Sequence, residues 1–291
     1  MHNFIKSDIS ITDSLNEVGF KLQNPKKDFF ATCRERFEKL YSDYNEKAAD
    51  DKLHMLTPEW GFKTSDDDIA KNDKIEKRKL AYGLYEAGRP FVKMHWERLK
   101  TINGGATLYC PICGLHECED MDHFAPRDFD KFPEYSAHLN NLIPLCHNCN
   151  HKKWNKFLGD NGERLYFNAY YDTLTDRNIL VGVITISPVD GLPQIEVIIN
   201  PILSNTKVPD KYILSTIEDL KLMHRFNEKA KQWLKYEMVR ISIRVGQPWQ
   251  VIRNEMAKLA TPIEGDPDIV HPVVLGAIAS SSEMEAWYNT L

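Results

Sequence analysis

The sequence has no apolar run approaching the roughly 18 consecutive residues that a membrane-spanning helix needs, so no transmembrane segment is expected. The first 20 residues interleave Lys6, Asp8, Asp13 and Glu17 with apolar residues. They hold no signal-peptide apolar core, which points to a cytoplasmic address. Internal repeats and low-complexity tracts are also missing. Excess positive charge is missing too: the 291 residues carry a net charge of −5, with a pI near 6.1. A protein that grips nucleic acid alone usually shows a basic face, because neutralising phosphates supplies most non-specific affinity. The balance therefore weighs against tight independent binding. It leaves room for a local basic groove, or for a partner that delivers the substrate. Cysteine is scarce, at six residues. In a cytosolic chain of this length six cysteines argue for metal rather than disulfides.

The chain is long enough for one large domain or two modest ones. Residues 1–102 read as a helical N-terminal region. Between Pro25 and Lys47, Phe29, Phe30, Cys33, Phe37, Leu40, Tyr41 and Tyr44 recur at three- and four-residue steps and paint one helix face. On that face Cys33 reads as a buried thiol. A polar break at Ser65-Asp66-Asp67-Asp68 precedes a second helical stretch over about Lys71–Ala87. Its cluster Lys71, Lys74, Lys77, Arg78 and Lys79 is interleaved with Asp73 and Glu76, which reads as a solvated face. Pro90 suits the first turn of a further helix carrying Phe91, Met94 and Leu99. Residues 103–160 form a motif module. Residues 161–204 carry two β-branched runs, Ile179–Ile186 and Gln194–Ile199, around the turn Pro188-Val189-Asp190-Gly191. Residues 205–291 are helical again, with Ile217, Leu220, Met223, Phe226, Trp233, Leu234 and Met238 at helical spacing. Two more helices are expected over Gln247–Leu259 and Val270–Leu291.

The chemistry is concentrated in the module. Cys110-Pro111-Ile112-Cys113 and Cys146-His147-Asn148-Cys149 are two CxxC pairs. Each places two sulfurs on one tight turn, and together they make a closed four-sulfur zinc site. The alternative is two unrelated turns with reduced thiols. Cys118 lies near enough to compete as a ligand. The residues between Cys113 and Cys146 are too many for a simple ribbon and suit a strand pair with a loop. Inside that gap, Asp122-His123 offers a carboxylate for a hard divalent cation beside an imidazole able to take a proton from water. Asn150 begins a helical turn directly after Cys149, where zinc would hold it, and its amide oxygen suits Mg²⁺. Asn141 is placed to bond loop backbone and orient His123. Lys152, Lys153 and Lys156, with Trp154 among them, could grip a phosphate backbone.

These residues resemble the HNH, or ββα-metal, nuclease family. The resemblance rests on the first CxxC pair, then Asp122-His123-Phe124-Ala125-Pro126, Asn141-Leu142-Ile143-Pro144-Leu145-Cys146 and Cys149-Asn150-His151-Lys152-Lys153. It covers about residues 105–158. It implies an α+β chain, mainly helical, with a central zinc-stabilised ββα-metal module between helical regions. In that module a β-hairpin would carry His123, a loop Asn141 and a helix Asn150, around one divalent metal. His123 would be the general base. Asp122 and Asn150 would bind catalytic Mg²⁺ or Mn²⁺, and Asn141 would shape the loop. The third family position is often His, so His151 stays open beside Asn150. The stretches Lys131–Tyr135 and Asn168–Asp172 also resemble stand-alone HNH proteins of bacterial anti-phage operons, including Septu-type nucleases that work beside an ATPase.

The expectation is a metal-dependent endonuclease in which His123 deprotonates water for in-line attack on a phosphodiester. DNA is the expected substrate, and RNA fits the same chemistry. An ATPase or a second copy of the chain is the expected protein partner, and no membrane is involved. One rival is a sequence-specific restriction or homing endonuclease, which would need a helix-turn-helix or a strongly basic arm; neither is found. Another is a catalytically silent, zinc-stabilised nucleic-acid-binding or scaffold subunit, against which the intact Asp122, His123, Asn141 and Asn150 speak.

Overall fold

The computed structural model describes residues 2–61, 66–105, 107–172, 179–200, 209–261 and 268–291. Helices predominate over two small sheets in a mixed α+β chain, as the patterning predicts. Ser65 and the expected boundary between 204 and 205 lie outside the described residues. Two compact units divide the chain: residues 3–112 with 116–173, and residues 174–291 with 1–2 and 113–115.

In the first unit α1 (Ile11–Lys21) starts where the Ser10 hydroxyl accepts the Asp13 N–H, satisfying one of the helix's orphan donors. In α2 (Lys26–Ala49) the buried row is Phe30, Phe37, Tyr41, Tyr44 and Ala48. Cys33 falls at the edge of that row and is half-buried, not fully buried as expected; partial burial still raises its thiol pKa. The second helical stretch begins earlier than predicted, at the Asp67 cap, and breaks at Gly83 into α3 (Asp68–Tyr82) and α4 (Leu84–Ala87). Lys71, Lys74, Lys77 and Lys79 each pair with a nearby carboxylate, as a solvated face should. Arg78 is the exception: it is buried and reaches Asp130 at 3.2 Å. In α5 (Arg89–Ile102) Pro90 sits in the first turn and the buried row is Phe91, His95 and Leu99. That row steps by four, so the predicted stripe residue Met94 is exposed and His95 takes its place inside.

The rest of this unit is a short hairpin with a helix. Strand β1 (Asp120–His123) pairs antiparallel with β2 (Leu142–Leu145), placing Asp120 opposite Leu145 and His123 opposite Leu142. The residues between them turn through two single 3₁₀ turns, Pro133–Tyr135 and Leu139–Asn141. Helix α6 (His147–Lys153) follows β2 directly and lies against β1.

In the second unit β3 (Leu180–Ile186) and β4 (Pro193–Ile199) form the expected hairpin, with Gly191 at φ 71° in its turn. Among the described residues five helices follow: α7 (Pro209–Asp219), α8 (Leu222–Ser242), α9 (Trp249–Leu259), α10 (His271–Ser280) and α11 (Ser282–Tyr288). The long stripe expected over Ile217–Met238 is broken at Lys221, whose φ of 51° ends one helix and starts the next. Helix α8 packs on β4 and α10 on β3. A Cβ at Gly182 would sit 2.9 Å from that of Ala277, so the missing side chain is what lets α10 approach the strand.

Candidate active site and metal centre

Cys110, Cys113, Cys146 and Cys149 are all buried, and their sulfurs lie within 4.8 Å of one another. A tetrahedron of Zn–S bonds of about 2.3 Å has sulfurs roughly 3.8 Å apart, so this donor set fits zinc with little adjustment. The local backbone suits the role. The N–H of Leu115 points at Cys113 Sγ at 3.5 Å. Gly114 takes a φ of 66°, which a side chain would resist. Cys110 N–H donates to His116 O at 2.8 Å and closes the turn. Cys118, although buried, is not one of the four. Cys146 caps α6 and Cys149 lies within it, so a metal here would fix the helix carrying Asn150.

Residues alternate along β1. Asp120 and Asp122 share one side of the strand, and His123 takes the other. On its side, the His123 ring is 9% exposed and its Nε2 lies 2.9 Å from the carbonyl oxygen of Ser136. A carbonyl only accepts, so Nε2 carries the proton and Nδ1 is left as the basic nitrogen. Ser136 is itself pinned, its hydroxyl donating to Ala81 O at 2.5 Å and its N–H to Pro133 O at 3.1 Å. The edge of Tyr85 meets the imidazole at 4.7 Å between centroids. Burial lowers the His123 pKa to about 3, against the Ser136 bond that favours the charged form; Arg127 and Lys153 lower it further. The ring is therefore neutral at neutral pH. An anion arriving beside it would offset those cations and raise its proton affinity.

On the other side of β1, the Asp122 carboxylate meets Lys153 Nζ at 2.9 Å, and the same ammonium donates to the His123 carbonyl at 3.0 Å. Burial raises the Asp122 pKa, with Lys153 pulling the other way. Lys153, expected on the substrate face, is only 3% exposed. The reason is helical spacing: Asn150 and Lys153, three apart, lie on the face of α6 turned to β1. Lys152 is half-buried. Asn150 donates through Nδ2 to Asp120 Oδ2 at 3.0 Å, and His147 Nδ1 reaches that same oxygen at 3.1 Å. The direct partner of Asn150 is thus Asp120, not Asp122. His151 is exposed, its ring facing those of His147 and Trp154.

Asn141 is fully buried and every polar atom of its amide is used. Oδ1 accepts from Ala125 N–H at 2.7 Å and Tyr44 O–H at 3.0 Å. Nδ2 donates to Ala125 O at 3.0 Å and Tyr135 O at 3.2 Å. Its own carbonyl accepts Phe124 N–H at 2.8 Å. This clamps the two residues after His123 to the chain before β2, and so aims the imidazole.

Several contributors were not foreseen. Asp120 could have been found from the two-residue strand period that puts it beside Asp122. Tyr44, Tyr85 and Arg127 carry no local signal. The Arg127 guanidinium lies over the rings of Tyr82 at 4.6 Å and Tyr85 at 4.5 Å, and bonds Glu86 at 3.0 Å. Its Nη1 is enclosed with no hydrogen-bond acceptor among the described residues. Imidazole and guanidinium therefore flank one phenol ring. Comparison of the chain with protein-family models, curated proteins and solved structures found no match.

Proposed function

We propose that residues 105–158 form an HNH-type, zinc-stabilised ββα-metal module and that the protein is a metal-dependent endonuclease. The observation that carries this reading is the 2.9 Å contact of His123 Nε2 with Ser136 O, which sets the tautomer of the ring. With Nε2–H held by Ser136 O, a neutral Nδ1 is aimed by the Asn141 clamp at the end of β1. A general base needs that arrangement: one nitrogen anchored and the other basic. In the reaction His123 Nδ1 takes a proton from water as its oxygen attacks phosphorus, and the bond to the departing 3′ oxygen breaks, that oxygen taking up a proton from solvent. Arg127, which shares the Tyr85 ring with His123, would oppose the phosphate charge.

Oxygen donors suit a hard cation, and Asp122 and Asn150 supply a carboxylate and an amide oxygen on one side of β1. Lys153 contacts Asp122 Oδ2 and Asn150 spends Nδ2 on Asp120, so a cation would be held through the second Asp122 oxygen and the Asn150 amide oxygen. β1 ends at His123, so a phosphodiester laid across that end would meet His123 on one side of the strand and, on the other, Mg²⁺ or Mn²⁺ that would polarise a phosphoryl oxygen. The four cysteines would tie α6 to the Cys110–Cys113 turn, so zinc held there would be structural.

His123 and Asp122 are both nearly enclosed. That favours a site opened by substrate or by a protein partner, which fits a defence effector working in the cytoplasm beside an ATPase or a second copy. DNA is the substrate of choice, with RNA as the variant to be tested. No described helix is long and apolar enough to cross a membrane.

The test is cleavage of supercoiled plasmid, and of RNA, by zinc-loaded protein with Mg²⁺ or Mn²⁺. We expect metal-dependent cutting that EDTA abolishes and His123→Ala reduces by about 10²–10⁴-fold. A folded, zinc-loaded protein that cuts neither substrate, alone or with an ATPase partner, would refute the reading in favour of a silent binding subunit.

A further inference from the structure

Helix α6 ends at Trp154, whose backbone has φ 50° and ψ −130°, a left-handed conformation that bulky side chains avoid. The neighbours enforce it. Trp154 N–H donates to Asn150 O at 2.8 Å, Lys156 N–H to Lys153 O at 3.0 Å, and Asn155 Nδ2 to Asp128 at 2.6 Å. Strain of this kind usually places a side chain where function needs it. Here it holds the indole out in solvent at 69% exposure, where the ring gains little from burial. Two further rings continue the row. His151 lies 6.4 Å from Trp154, and His147 lies 6.1 Å from His151, with Asp120 pinning the His147 ring. Positions 147, 151 and 154 share one helix face. His147 and His151 are tilted by 33°, and His151 and Trp154 meet nearly edge-on at 68°, so the rings do not stack on one another, and the exposed indole keeps a face for a planar group.

Charge identifies that group. Residues 147–159 contain no carboxylate and three lysines, of which Lys153 is buried against Asp122 while Lys152 is half-buried and Lys156 exposed, in a chain whose net charge is −5. Aromatic faces interleaved with cations on an otherwise acidic protein match a single-stranded nucleic acid, whose bases stack while its phosphates meet the lysines. We infer that His147, His151 and Trp154 form a stacking platform for unpaired nucleobases. The substrate of the proposed nuclease is then nucleic acid with single-stranded character beside the scissile phosphate. The placement beside a cleavage site rests on the nuclease reading; the binding does not.

The experiment uses the full chain, zinc-loaded, in a His123→Ala background without added divalent cation. Fluorescence anisotropy measures binding of a labelled oligothymidylate and of a duplex of equal length. Stacking on one residue predicts that Trp154→Ala weakens oligothymidylate binding roughly 5- to 150-fold, with little change for the duplex. Trp154→Phe should restore most of the affinity. Lys156→Ala should lower the slope of affinity against salt by about one, which Trp154→Ala should not. Trp154→Gly guards against misfolding, since glycine accepts the positive φ: it should lose the binding while melting no lower than the parent. Equal losses for both probes, unchanged oligothymidylate affinity in Trp154→Ala, or no binding by the parent protein would each overturn the platform. So would a dimer that Trp154→Ala converts to monomer with no effect on the oligonucleotide, which would mark a contact between copies. Trp154-dependent binding in a protein that never cuts would leave the platform standing and remove the nuclease.

Discussion

Replacing Asn141 with alanine removes the clamp that aims His123 and leaves four buried partners behind. The N–H of Ala125 and the hydroxyl of Tyr44 lose their acceptor; the carbonyls of Ala125 and Tyr135 lose their donor. An unsatisfied buried polar group costs about 1–3 kcal/mol. The two carbonyls keep a second lone pair, and the Tyr44 hydroxyl can rotate, so the full sum is not expected. About 3–5 kcal/mol is the working figure, dominated by the Ala125 N–H. For a unit of this size that lowers the melting temperature by roughly 10 °C. Differential scanning calorimetry should show the shift confined to one transition, because the clamp lies wholly within one of the two units. Asn141→Asp makes the complementary test. It keeps the acceptor for Ala125 N–H but loses both donations and buries a charge, so it should also destabilise, with a cost that shrinks at low pH as the carboxyl protonates. Cleavage by either variant, measured below its melting transition, should fall by more than tenfold if the clamp aims the base. A melting shift under 2 °C with cutting intact would refute the claim that these bonds hold the loop.

Three further outcomes are expected. Lys153→Met strands the buried Asp122 charge and should cost about 3–5 kcal/mol in urea denaturation, whereas the same change with Asp122→Asn should recover most of that loss; equal costs for the single and double variants would show that the pair is not coupled. Chelation of zinc should unfold the α6 segment, because four buried thiols lose their common partner and structural zinc contributes on the order of 10 kcal/mol to such folds; zinc-edge X-ray absorption should report four sulfurs per metal, and fewer would contradict the site. Glu134 is fully buried and burial pushes its pKa up to about 8, against the pull of Arg78. An acid raised in the folded state binds a proton that the unfolded chain has already released. Its contribution is therefore complete below about pH 4.5 and is lost as pH climbs through 8, by at most about 5 kcal/mol. Glu134→Gln keeps the acceptor used by Glu59 N–H and should flatten the fall in stability between pH 5.5 and 8.5; an unchanged slope would exclude Glu134 as its source.

Much of the local structure was legible in the residues. Tight CxxC turns are local chemistry, and their four sulfurs do meet. The β-branched runs around Asp190-Gly191 pair as a hairpin, and apolar periodicity locates the helices because a buried face must repeat every 3.6 residues. Asn141 as a loop-bonding residue follows from its position before β2. What the residues could not decide was orientation and distant partnership. Helical spacing alone left Met94 and His95 as rivals, and packing turned His95 inward. Lys153 reads as a surface cation until α6 is laid on β1; then its ammonium must answer Asp122 or leave a buried charge unpaired. Asn150 meets Asp120, since which side chains touch across a strand and a helix depends on the docking of one on the other. Tyr44, Tyr85 and Arg127 come to the site from segments dozens of residues apart or from the connecting loop, and no local pattern marks them. Spacing along the chain determines which chemistry is available; only the packing of α2, α4 and α6 around β1 decided which atom of each group is held, which is buried and which is left to react.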